Sequence, residues 1–85
     1  MITVLYFARF REKLGRDQES LPLPSASPVT VQVLLDELVA RGGAWSDVFG
    51  CERGVLVAVN QRMAQRDSLL CEGDEIAFFP PVTGG

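Results

Sequence analysis

The sequence predicts an α+β domain in which one twisted sheet is covered on a single face by one principal helix, and three observations carry that prediction. Short apolar segments, Ile2 to Phe7, Val55 to Val59 and Ile76 to Phe79, have the length and β-branched or aromatic content of strands. A single longer stretch, Val31 to Arg41, repeats its apolar residues at spacings of three and four. Strands before and after one amphipathic helix need a common face on which to bury its stripe, which is a two-layer arrangement with the other sheet face left open. At 85 residues the chain makes one domain, and its 47% hydrophobic content supports a core without added staples.

Along the first strand, Ile2, Val4 and Tyr6 share one face while Thr3, Leu5 and Phe7 share the other. Ala8 to Leu14 has helical composition and stops at Gly15, a good C′ residue, so a short helix or turn is expected there. Glu19 to Leu23 alternates again with Leu21 and Leu23 inward, and Pro22 and Pro24 mark it as an edge strand pairing antiparallel with the first. Thr30 is the expected N-cap of the main helix, whose stripe is Val31, Leu34, Leu35, Leu38 and Val39 and whose end is Gly42-Gly43. Trp45 and Phe49, four apart in a segment with room for one helical turn, are expected to cover one end of the core.

Val55 to Val59 is a nearly continuous apolar run, as in a buried strand. Asn60-Gln61-Arg62 breaks it, Met63 to Gln65 follows as a short strand, and turns are expected at Asp67-Ser68-Leu69 and Gly73-Asp74. The first and last strands both read as buried, so they are expected side by side and parallel at the centre of the sheet. If Ile76 and Phe78 face the helix, then Ala77 and Phe79 face away, on the side of Leu5 and Phe7, with Met63 nearby. That side would form an exposed apolar patch of the kind that marks a protein interface, the alternative being that these residues only complete a small core.

Charge and cysteine content exclude several classes of function. The net charge of −3, with scattered Lys and Arg, provides no basic stripe for a phosphate backbone, so nucleic acid is not an expected partner. MITVLYF is too short and lacks the basic flank of a signal peptide, and no apolar run approaches the roughly 18 residues of a membrane span; a cytoplasmic protein is expected. Cys51 and Cys71 stand twenty positions apart, with no CxxC and no histidine in the chain, so neither a structural zinc site nor a Cys-His nucleophile has its parts. They read as small apolar residues, with Cys51 in the loop-like FGCERG. No metal or intrinsically bound cofactor is expected. Asp74-Glu75 reads as a solvated turn and strand start, or alternatively as a charged contact for a basic partner near the tail.

The chemistry the sequence does offer lies at its end. Pro80-Pro81 cannot continue a central strand, which divides the chain into a body, 1–79, and an extended tail, 80–85. Extended, that tail reaches roughly 20 Å at about 3.3 to 3.6 Å per residue, enough to enter a partner's pocket. Gly84-Gly85 ends it with a carboxylate flanked by no side chain, on a backbone free to adopt φ of either sign.

GDEIAFFPPVTGG at Gly73 to Gly85, VAVNQ at Val57 to Gln61 and ITVLYFARFRE at Ile2 to Glu12 resemble the small, sulfur-carrying subunits of molybdopterin synthase, a family with the ubiquitin-like β-grasp fold. The resemblance implies that a ubiquitin-activating-like adenylyltransferase uses ATP to adenylate Gly85, that a sulfur donor displaces AMP, and that the resulting thiocarboxylate gives its sulfur to cyclic pyranopterin monophosphate inside the large subunit, in a heterotetramer of two small and two large chains. Gly85 would then carry the reacting atom. Phe7, Met63 and Phe79 match the family's apolar partner contacts, and Pro80, Pro81, Val82, Thr83 and Gly84 would thread the partner. Three other functions suit such a tail: a sulfur carrier for thiamine or a related pathway, a ubiquitin-like modifier of lysines, and an interaction module with an inert end.

Overall fold

The structure is a computed structural model, and it describes residues 1–50 and 55–81. Strand β1 (Ile2–Tyr6) leads through helix α1 (Arg9–Leu14) to β2 (Gln18–Leu21). The main helix α2 (Val31–Val39) follows, then a short α3 (Gly43–Trp45) that widens into a π-turn at Ser46–Gly50. Strands β3 (Leu56–Val59), β4 (Arg62–Ala64) and β5 (Glu75–Phe79) complete the described chain. The strands form one sheet in the order β2-β1-β5-β3-β4. Only the central pair is parallel, with Val4 opposite Ile76 and Tyr6 opposite Phe78; β2, β3 and β4 each run antiparallel to their neighbours.

The expected core is present and lies on one face. Ile2, Val4 and Tyr6 of β1 and Ile76 and Phe78 of β5 are buried against Val31, Leu34, Leu35 and Leu38 of the stripe read from the helix, with its last member, Val39, only half-buried. Thr30 caps α2 by accepting a hydrogen bond at Oγ1 from the Val33 N–H, 3.3 Å away. Gly15 ends α1 in the left-handed region at φ 73°, its N–H bonded to the Arg11 carbonyl as expected of an αL cap. Phe49 closes the core end through edge and tilted contacts with Phe10 and Phe78, at ring-centroid distances of 5.4 and 5.3 Å. The π-turn accommodates this: its extra residue per turn brings Val48 and Phe49 inward together.

Boundaries differ from expectation where turn chemistry prevails over apolar pattern. Strand β2 ends at Leu21, not Leu23, because Pro22 has no N–H to offer; Leu23 still packs against the core from the loop. Helix α2 ends at Val39, not Arg41, and Gly42 at φ 75° reverses the chain, its N–H bonded to the Val39 carbonyl. Strand β4 starts one residue early, at Arg62, because the hairpin turn is the two-residue Asn60-Gln61, both at positive φ. Among the described residues no helix is long and apolar enough to cross a membrane.

One feature had no signal in the sequence pattern. Glu19, midway along β2, accepts hydrogen bonds from the Tyr6 hydroxyl at 2.7 Å, from Arg41 at 2.8 and 3.2 Å, and from Arg16 at 3.0 Å. Arg41 lies over the Trp45 ring, 4.4 Å from its centroid, so the cluster ties β2 to the end of α2 and to the aromatic cover. Burial alone would favour neutral Glu19, but the hydrogen bonds from Arg41 and Tyr6 outweigh it and hold the carboxyl below its ordinary range. Burial, and then the same carboxylate, push the Tyr6 hydroxyl well above its own.

The sign of the linkage follows from the lowered Glu19 value. Its contribution to stability is present above the unfolded carboxyl pKa, about 4.3, and is lost as pH falls through the depressed folded value. Thermal melts between pH 7 and pH 2 should therefore show a Glu19→Gln variant with a lower melting temperature at pH 7 and a gap to the parent that closes in acid. A gap that stays constant with pH would contradict this assignment.

Candidate functional site

The face of the sheet opposite α2 is built by strand alternation. Leu5, Ala77, Ala58 and Met63 form a row across β1, β5, β3 and β4, and Leu56 lies opposite Phe79 in the next row. The two alanines are buried despite lying on this face, and Leu5 is half-buried, whereas Met63 is 67% exposed and Phe7 40%. Small residues in the middle and large ones at one end make a hollow. Phe7, Met63, Phe79, Pro80 and Pro81, together with Ala8 and Leu56, line a shallow groove of about 400 Å³.

The groove has an aromatic floor. Phe7 and Phe79 stack almost parallel, with ring centroids 4.9 Å apart and planes 8° apart. Parallel pairing of β1 and β5 brings their C-terminal ends to the same edge of the sheet, so the residues following both strands meet there. Ala8 turns the chain at φ 55°, ψ −133°, with the Phe10 N–H bonded to the Phe7 carbonyl at 3.1 Å, as in a type II′ turn whose first corner normally takes glycine. An alanine held in that region stores backbone strain where Phe7 is presented.

Of the patch and exit residues proposed from sequence, Phe7, Met63, Phe79, Pro80 and Pro81 are brought together in the groove, whereas Leu5 and Ala77 lie on the same face without lining it, Ala77 being buried. Val82, Thr83, Gly84 and Gly85 lie outside the described residues, as does Cys51. Leu56 and Ala8 were missed. Leu56 belongs to a run apolar on both faces, so alternation could not say which side it served; the signal for Ala8 was only its place between an aromatic strand end and a helix. Asp74 and Glu75 are the turn and strand start that the pattern suggested, and the alternative of a contact near the tail needs a correction, because Asp74 precedes β5 and Glu75 begins it, at the opposite end from the tail. There the Asp74 carboxylate accepts hydrogen bonds from Asn60 Nδ2 at 2.9 Å and the Cys71 N–H at 2.8 Å, which latches the turn before β5.

The described groove lining contains no ionisable side chain, and among the described residues no cluster of His, Cys, Asp and Glu could hold a metal ion. What this arrangement can do chemically is bind: an apolar socket with stacked aromatic rings at its base, from which a proline-stiffened segment departs.

Comparison with known proteins agrees with this geometry. The ThiS family model matches residues 4–85. The chain is 43% identical to the molybdopterin synthase sulfur carrier subunit of Escherichia coli and 42% identical to that of Haemophilus influenzae, each over the whole of both chains. Its fold superposes on the small archaeal modifier protein 1 of Haloferax volcanii with a TM-score of 0.76 and 30% identity, covering 95% of this chain and 97% of that one. A β-grasp body, an apolar groove at the exit of the last strand and full-length similarity to sulfur carriers together place this chain in the ThiS family.

Proposed function

We propose that this chain is the sulfur-carrying small subunit of molybdopterin synthase and that the carboxyl carbon of Gly85 bears the sulfur. The observation that carries the proposal is the groove at the tail exit, formed by the residues that the resemblance assigns to the large-subunit contact. A free α-carboxylate, with a pKa of about 3.3 to 3.7, is ionised and unreactive as an acyl donor at neutral pH. An adenylyltransferase partner supplies the activation. The Gly85 carboxylate oxygen attacks the α-phosphorus of ATP, pyrophosphate leaves, and an acyl-adenylate forms. A hydrosulfide-equivalent sulfur then attacks the acyl carbon and expels AMP, which leaves a thiocarboxylate.

In the large subunit that sulfur bonds to a carbon of cyclic pyranopterin monophosphate, its bond to the Gly85 acyl carbon breaks, and water restores the carboxylate. This chain contributes binding and delivery and holds no cofactor of its own. The body docks through the groove while the segment from Pro80 onward enters the partner, in an assembly of two small and two large subunits in the cytoplasm.

Changing Phe79 to Asp tests the docking step. A carboxylate beside Phe7 should weaken large-subunit binding at least a hundredfold while thermal unfolding shifts by only a few degrees, because Phe79 lies outside the α2-facing core. Unchanged affinity per folded molecule would mean the groove is not the contact. The modifier reading has one finding in its favour, the 30% identity to small archaeal modifier protein 1, and an isopeptide adduct ending in Gly85 in a lysate would select it.

A further inference from the structure

The docking surface extends past the groove, and its extension is charged. Over residues 9–17 the chain places four cations, Arg9, Arg11, Lys13 and Arg16, against the two carboxylates Glu12 and Asp17, in a protein whose net charge is −3. Helix α1 buries Phe10 and half-buries Leu14, which turns Arg11 and Lys13 to solvent. Arg16 is committed to Glu19, and Arg9 lies over the Phe10 ring. Residues 72–75, at the opposite end of the strands, carry Glu72, Asp74 and Glu75 and no cation, with the N-terminal amine paired to Glu72. At the groove end of β3 and β4 the described residues add Gln65 and Arg66, while Glu52 and Arg53 lie outside the described residues.

The end from which the tail leaves is thus the more cationic, whereas at the other end Arg62, opposite Val59, joins Glu72, Asp74 and Glu75. Ala8 is both the last residue before α1 and part of the groove lining, so the basic helix and the apolar socket are continuous.

We infer that Arg11 and Lys13 form a basic rim of the docking surface and that the protein which closes on the groove presents carboxylates beside its apolar contact. The inference rests on the docking proposed above and adds the electrostatic character of the partner. Exposed charges of this kind act mainly on encounter: they orient approach and raise the association rate in low salt, while the dissociation rate follows the buried apolar contact.

The test is stopped-flow association with the purified large subunit of molybdopterin synthase from the same organism, across ionic strengths from about 0.02 to 0.5 M. Arg11→Glu combined with Lys13→Glu should slow association at least tenfold in low salt, leave dissociation within about twofold, and converge on the parent rate in high salt. Glu72→Gln, at the far end, should leave the association rate unchanged. A double variant that associates at the parent rate in low salt overturns the inference, as does a slowing that persists in high salt, which would signal misfolding or direct contact loss. Phe79→Asp in the same series keeps the two readings apart: if it binds normally the groove reading fails, and if it alone is impaired only the basic rim is refuted.

Discussion

One alanine added after Gly85 should abolish sulfur transfer while leaving the fold intact. The added methyl and peptide move the carboxylate one residue outward and place a Cβ beside it, in a chain whose last two positions are both glycine. Adenylation needs the acyl carbon at the α-phosphorus of ATP, and displacement of geometry by one residue, about 3.3 to 3.6 Å, exceeds the tolerance of a positioned reaction. The loss should be at least a thousandfold in thiocarboxylate formation, with an unfolding midpoint within about one degree of the parent, since among the described residues no buried core residue lies beyond Phe78. Continued cofactor synthesis by the extended chain would place the working atom elsewhere.

Phe78→Ala should have the largest effect on stability. Phe78 is fully buried, opposite Tyr6 on β1 and Val57 on β3, with Phe49 5.3 Å from it between rings. Truncating such a residue costs about 3–5 kcal/mol, the lost transfer energy plus the cavity left behind. Single domains have about 5–15 kcal/mol in all, so urea unfolding should show a midpoint reduced by about a fifth or more, or no folded baseline at physiological temperature. The neighbouring Phe79, on the other face, should lose binding instead. Adjacent positions on one strand would then separate folding from recognition, and a Phe78→Ala chain as stable as the parent would contradict the assignment of faces.

Much of this was legible from residue spacing. The stripe Val31, Leu34, Leu35, Leu38 has one solution on a helix, and Ile2, Val4, Tyr6 and Ile76, Phe78 have one partition on strands, so the core and its two layers follow from periodicity. Glycine at 15 and threonine at 30 gave the caps because their backbone and side-chain roles are local. Strand register was not legible, because nothing local aligns Leu56 with Phe79, and so the groove was foreseen only in part. The Glu19 cluster was invisible for a similar reason: Tyr6, Arg16, Glu19 and Arg41 meet only after β2 pairs with β1 and α2 crosses the sheet, and an isolated glutamate on an edge strand reads as solvated. Proline at 80 was a good guide to the end of β5, since a missing N–H ends a ladder whatever the surrounding pattern; Pro22 ends β2 in the same way, but there the alternation of Leu21 and Leu23 carried the expected strand past it.

The intact mass of the protein purified from its own cells, without reducing or acidic treatment, bears most directly on the sulfur-carrier assignment. Exchange of one terminal oxygen for sulfur adds about 16 Da, and a fraction of the chains should carry that increment, confined to the C-terminal peptide and absent from cells lacking the adenylyltransferase. A population uniformly at the carboxylate mass, in cells that hold the adenylyltransferase but have the large subunit inactivated so that sulfur cannot be unloaded, would contradict it.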